Sequence, residues 1–315
     1  MLKKCISIFL LFWNISFSQA MIIDDKEQLL PEVLEIVAYF NSKLENSADI
    51  FKLNDFAQQK FLRPKGAERL DEKSLSHYKK LCAGLSVKMK EKILNLFKRL
   101  GDIDPIYPIH KNPNYICIQG STVSSMRERL MFLSQLVDEK KINISPTTRV
   151  VFLTGERALF KTETTTVLLN PAPFAIDPSW KAPEILPDDE AEAAKFIWAQ
   201  LKIAAPLRAL QPLFVDAKKR SGNARAQTED STQAWLTSNN VRGIVTMVSS
   251  NPFVGYQLEV MKLAIKKVGL ENEIQVEGMG SAATIEGQEI DISLGILLDN
   301  LARTIYTIVK SKQIT

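Results

Sequence analysis

Residues 115–130 read YICIQGSTVSSMRERL, a short β-branched run that stops at Gly120-Ser121-Thr122 and passes directly into a stretch with helical spacing. The same change of period recurs downstream: RVVFLTGERAL starts at Arg149, DDEAEAAKFIWAQL at Asp188, PLFVDAKKR at Pro212, and GIVTMVSSNPFVGYQLEVM at Gly243. Short apolar runs alternating with longer amphipathic stretches are βα units, which bury a mostly parallel sheet between helices. The expected fold class is therefore α/β, with strands near 114–120, 149–155, 211–216, 243–249 and 273–277. Helices are expected near 122–138, 188–202, 229–238, 252–267 and 290–310. Residues 158–187 are an insertion after the second strand, with ETTTVLLN as a short extra strand and a proline-rich remainder. A loop of this length at a strand end reads either as a lid or as a surface excursion that packs Phe174 and Trp180 on the core.

Upstream the signal is helical. Val33, Ile36, Val37 and Phe40 share one face, as do Met89, Ile93, Leu96 and Leu100. The prolines of DPIYPIHKNPN, residues 104–114, end this part, so the chain divides near residue 111 into a helical region (21–110) and an α/β domain (111–315). Residues 1–20, MLKKCISIFLLFWNISFSQA, have a basic start, an apolar stretch and a Ser18-x-Ala20 end, the layout of a secretory signal peptide. An uncleaved membrane anchor is the alternative. The late apolar stretch ISLGILLDNLARTIYTIV is interrupted by Asp299, Asn300 and Arg303 and does not read as membrane-spanning.

The balance of 40 basic and 36 acidic side chains in 315 residues gives a net charge of +4. Without Lys3 and Lys4 of the leader it falls to +2, and nucleic acid is not an expected partner. The basic run Lys79, Lys80, Lys88, Lys90, Lys92, Lys98 and Arg99 is open to two readings, a membrane-surface contact or the solvated side of amphipathic helices. Two histidines, His77 and His110, without CxxC or HExxH spacing give no metal site, and without GxSxG no Ser-His-Asp triad. Cys82 and Cys117 would share an oxidising compartment after export, and Cys117 reads as a small buried hydrophobe.

Ligands in such folds sit beyond the carboxyl ends of the strands. There the chain places Gly120-Ser121-Thr122, Gly155-Glu156-Arg157, Arg225 and Thr228 before a helix that holds Asp230, and Ser249-Ser250-Asn251. Each has a plain structural reading as well: caps for Ser121 and Thr122, a surface ion pair for Glu156 and Arg157, and a helix-dipole partner for Asp230. Together, glycines, hydroxyls, arginines and acids suit a phosphorylated or otherwise anionic sugar- or nucleotide-like small molecule. Arg127 and Arg129 lie five or more residues into their helix, so position alone does not bring them to the crevice.

The order of these segments resembles the YdcF-like family of bacteria, whose exported branch includes SanA and ElyC. The resemblance spans roughly residues 114–277 and rests on Gly120, Arg127 and Arg129, Gly155 of FLTGERAL, Glu190-Ala191, and Gln227-Thr228. The chain departs from it at Asp230-Ser231, where the family often has Glu-Asn. It departs again at VSSNPFVGY, where many members carry a histidine and an arginine. The resemblance implies a Rossmann-like fold, Glu190 among the ligand-binding residues, and a role in cell-envelope biogenesis or barrier function. One hypothesis is an exported enzyme acting on an envelope precursor, with Glu156 or Asp230 as general base and Arg157 and Arg225 holding the anion. The other is a non-catalytic binding module, and a third is a holder of S-adenosylmethionine or a nucleotide.

Overall fold

The structure, a computed structural model, describes residues 22–24, 26–44, 49–223, 225–284 and 288–314. The expected leader over residues 1–20 lies outside the described residues. The described chain begins with helices α1 (Pro31–Ala38), α2 (Ile50–Lys60), α3 (Glu72–Cys82) and α4 (Val87–Arg99). Asp49, Asp71 and Ser86 accept hydrogen bonds from the first-turn amides of α2, α3 and α4, which is what sets where each helix starts.

Strands β1 (Tyr115–Gln119), β2 (Arg149–Gly155), β3 (Leu213–Ala217), β4 (Gly243–Ser250) and β5 (Ile274–Ser281) form one sheet in the order β3-β2-β1-β4-β5. Every neighbouring pair is parallel. The connecting helices are α5 (Val123–Asp138), α6 (Thr165–Leu169), α7 (Glu190–Gln200), α8 (Ala205–Arg208), α9 (Thr228–Ser238), α10 (Val254–Lys267) and α11 (Ile290–Lys312). This is a Rossmann-like α/β fold. Ile116 and Ile118 of β1 pack with Met126, Leu130 and Ile197 of α5 and α7, whereas Cys117 packs with Trp235, Leu258 and Met261 of α9 and α10. Both faces of the sheet are covered, hence strands that are apolar throughout rather than alternating.

A second core lies outside the sheet. Leu53, Phe61, Ile93, Leu96 and Phe97 of the N-terminal part close around Leu294, Leu298, Leu301 and Ile305 of α11. Among the described residues α11 is the one helix long and apolar enough to cross a membrane, yet 83% of its apolar window is buried inside the molecule. The boundary near residue 111 therefore separates two kinds of structure without separating two cores, because α11 completes the N-terminal one.

The insertion differs from its expectation. ETTTVLLN forms no strand: Thr164 caps α6, and Arg127 donates to the carbonyls of Val167 (2.7 Å) and Leu168 (2.6 Å) at its far end. Trp180 then meets Phe196 edge-to-face at 5.6 Å and Phe174 packs on the same core, so the segment clings to the sheet layer. Cys82 and Cys117 are buried, unpaired and in different cores. Within the basic run, Lys79, Lys90, Lys92, Lys98 and Arg99 pair with Glu289, Asp291, Glu35, Asp104 and Glu32.

Candidate functional site

The strand order reverses between β1 and β4, so the chain leaves β1 for α5 on one face and β4 for α10 on the other. A crevice opens at such a switch point. Its floor is Gln119, Gly120 and Ser121 after β1, with Leu153 and Gly155 of β2 beside them. Gln227 and Thr228 at the start of α9 and Phe253, Tyr256 and Gln257 at the start of α10 form its walls. Two distant stretches complete it: Arg63 and Arg69 between α2 and α3, and Asp299, Asn300 and Arg303 of α11. The cavity measures about 130 Å³, well below the roughly 300–1,000 Å³ of sites that engulf a drug-sized ligand.

Close approach explains the glycines. A Cβ on Gly120 would stand 2.1 Å from Glu190 Oε1 and 2.9 Å from the Leu153 carbonyl oxygen, and one on Gly155 would stand 2.5 Å from the Ala226 methyl. A larger residue at 120 would displace the Glu190 carboxylate and the Leu153 carbonyl, and one at 155 would displace Ala226.

Five arginines against two carboxylates line the cavity, an excess of three positive charges. Two of the five share one carboxylate. Asp299 accepts from the backbone N–H of Arg63 and from its guanidinium, both at 3.0 Å, and from Arg303 Nε at 3.0 Å. The other three have little or no acid of their own. Arg129, 2% exposed, donates to the carbonyls of Gln119 (2.7 Å) and Gly120 (3.1 Å), and its Nε has no partner. Burial pulls its pKa down to about 10, against the attraction of Glu190 and Glu128. Arg69 lies 3.6 Å over the Phe253 ring, its Nε is likewise unpartnered, and burial with nearby Arg63 pulls it down to about 10. Arg225 pairs with the exposed Glu68 at 3.7 Å and attracts the Glu190 carboxylate. Gln119, 1% exposed, has an unpartnered Nε2. Three buried donors, Arg129 Nε, Arg69 Nε and Gln119 Nε2, thus belong to one cavity and lack acceptors among the described residues, an arrangement that costs free energy unless a ligand or water supplies them.

Of the residues singled out from sequence, Gly120, Ser121, Gly155, Glu190, Arg225 and Thr228 line this crevice. Glu190 Oε2 accepts from Arg157 Nε at 2.6 Å, while burial, opposed by Arg157 and Arg225, holds its pKa above the ordinary carboxylate value. Arg157 is behind the crevice. It joins Glu163 (2.8 Å), Glu190 and the Ser121 carbonyl (2.9 Å), and these partners outweigh its burial and raise its pKa. Glu156, the residue before it at the bend after β2, meets Lys219 at 3.5 Å instead. Asp230 accepts from Gln227 N–H at 2.8 Å in a capping box and pairs with Arg220, so the helix start consumes it. Thr122 caps α5 through Ser125 N–H. Ser249 donates to Gln257 Oε1 and so orients a wall residue, whereas Ser250 and Asn251 line a neighbouring cavity.

Sequence reasoning missed Gln119, Arg63, Arg69, Tyr256, Gln257, Asp299, Asn300 and Arg303, and left Arg129 unplaced. One signal was present: Asp299, Asn300 and Arg303 interrupt an otherwise apolar helix, and such a set inside a core needs partners. Among the described residues no cluster of His, Cys, Asp and Glu could hold a metal ion. No family model matches the chain, and neither does any curated protein or solved structure.

Proposed function

We propose that the switch-point crevice binds the phosphate-type end of an anionic small molecule, in an exported protein of YdcF-like type that serves cell-envelope biogenesis. The observation that carries the ligand class is the set of acceptor-less donors, Arg129 Nε, Arg69 Nε and Gln119 Nε2, in a cavity with three excess positive charges. Calorimetric titration with inorganic phosphate tests it. Arg69→Ala or Arg225→Ala should weaken binding by about 1.5–3 kcal/mol, the range for hydrogen bonds to charged groups. Wild-type protein that takes up no phosphate at low salt sinks the reading.

Catalysis at this site is a second reading, favoured by one observation: Glu190 is a buried carboxylate of raised pKa whose Oε1 abuts Gly120 on the crevice floor. Glu156 and Asp230 are engaged elsewhere, so Glu190 is the general acid or base this reading uses. Phosphate release from a phosphomonoester should then be lost in Glu190→Gln while phosphate binding persists; a binding module releases none in either form. The envelope role rests on the layout of residues 1–20 and on the family resemblance. Mass spectrometry of native protein should find a chain beginning at Met21, and a cytosolic chain beginning at Met1 would refute export.

A further inference from the structure

The wall made by Arg69 and Phe253 is shared. On its far side is a second cavity, about 300 Å³, which the same two residues line. Its character is different. Leu70, Pro252, Ile296 and Leu297 give it an apolar side, and Leu70 is 62% exposed at that position. Among its described lining residues Glu128 is the one carboxylate and Arg69 the one cation.

Two unmet acceptors stand beside the unmet donors of the first cavity. Asn251, 4% exposed, lines the second cavity and has an Oδ1 with no partner. Its amide nitrogen donates to the Gly101 carbonyl at 2.8 Å and to the Asp104 carbonyl, which fixes the oxygen as the end left over. Asn300, 3% exposed, repeats this on the crevice side: its amide donates to the Pro252 carbonyl and its Oδ1 is unmet. The first cavity thus holds three unmet donors and one unmet acceptor, Asn300 Oδ1, and the second holds the unmet acceptor Asn251 Oδ1.

We propose that the two cavities hold one molecule, a phosphomonoester of an uncharged hydroxylated group such as a sugar or polyol, with its phosphate on Arg69, Arg129 and Gln119 and its hydroxyls on Asn300 and Asn251. The inference rests on the phosphate reading of the first cavity. Phosphate oxygens answer the three donors, hydroxyl donors answer the two amide oxygens, and the C–H face of a sugar ring covers Leu70, Ile296 and Leu297. Glu128 disfavours a second anion at that end. Arg69 and Phe253 line both cavities, so a molecule held in one meets the residues that border the other.

Calorimetry with inorganic phosphate, glucose 6-phosphate and phenyl phosphate separates the claims, using wild type and Ala282→Trp. Ala282 is exposed and lines only the second cavity of the two, so the indole fills that space without disturbing a core. Glucose 6-phosphate should bind at least about tenfold tighter than inorganic phosphate, the equivalent of about 1.4 kcal/mol, and tighter than phenyl phosphate. Ala282→Trp should erase that advantage and leave inorganic phosphate unaffected. Inorganic phosphate binding with no gain for the sugar ester, or a gain that survives Ala282→Trp, overturns the second subsite and spares the first. Phenyl phosphate binding as tightly as the sugar ester overturns the hydroxyl assignment. If none of the three binds, both readings fall.

Discussion

Arg157 and Arg225 have the same guanidinium, but their surroundings assign them opposite roles. Arg157 is 6% exposed and balances two enclosed carboxylates, Glu163 and Glu190. Arg157→Ala strands both, so it should cost on the order of 3–5 kcal/mol of stability, read from chemical denaturation. Among the described residues Arg225 has one ion-pair partner, distant and exposed. Arg225→Ala should cost less than about 1 kcal/mol and show its effect only when anion is present. Equal melting of the two variants would contradict this division. Asp102 is a third residue set apart by environment: burial pushes its pKa from 3.8 up to about 8. Between these values the folded form holds a proton that the unfolded chain has lost, so its contribution to stability falls as pH rises through that window. Asp102→Asn removes the slope. Its melting temperature should exceed that of wild type at pH 8 and converge with it below pH 4, and parallel melting curves across that range would show that Asp102 titrates normally.

Among elements, α9 is tied from behind. Glu229 on its first turn accepts from Lys267 of α10 and Lys310 (3.1 Å) of α11 and pairs with Arg220. Burial opposes the charge, but these three cations outweigh it and bring the carboxylate from 4.5 to about 2. A depressed pKa stabilises above the unfolded value, so the contribution is whole above pH 4.5 and disappears as pH falls toward 2. Glu229→Gln should cost about 2 kcal/mol at pH 7, less than the shift alone implies because the cations keep contact with solvent, and should cost nothing near pH 2. The β1–α5 junction makes the opposite demand, for space rather than charge. Gly120→Ala must displace both the Glu190 carboxylate and the Leu153 carbonyl, and the latter is backbone. We expect a loss of at least about 1 kcal/mol, within the usual range for overpacking, together with weakened phosphate binding.

At the scale of the molecule, the crevice exists because α11 and the α2–α3 connection close over the sheet edge. Their shared core couples the helical part to the α/β part. The three described tryptophans, Trp180, Trp198 and Trp235, all lie in the α/β part, whereas far-UV circular dichroism reports every helix. Denaturation followed by both signals should therefore give coincident transitions, and a helical loss that precedes the fluorescence change would show the parts to be independent.

The sheet was legible because its cause is local. A strand buried on both faces must be apolar throughout, and the following helix must start with a cap, so β1, β2 and β4 with their helices could be located from period and turn chemistry alone. The glycines at 120 and 155 and the helix start at Thr228 were legible for the same reason, since parallel strands present their carboxyl ends on one edge. ETTTVLLN misled because its β-branched composition was overruled by the Thr164 cap and by Arg127, a partner nearly forty residues away. The same limit applied to the site. An arginine at a strand end looks alike in sequence whether it binds ligand or a hidden carboxylate, and Glu163 and Glu190 decided that for Arg157. Arg63, Arg69, Asp299 and Asn300 come from stretches more than two hundred residues apart, and only the packing of α11 against α2 and α3 brings them over β1. Sequence determined the layers and the edge on which chemistry would gather; tertiary structure decided which charges were spent in pairs and which were left for a ligand, because pairing depends on distances that no local pattern encodes.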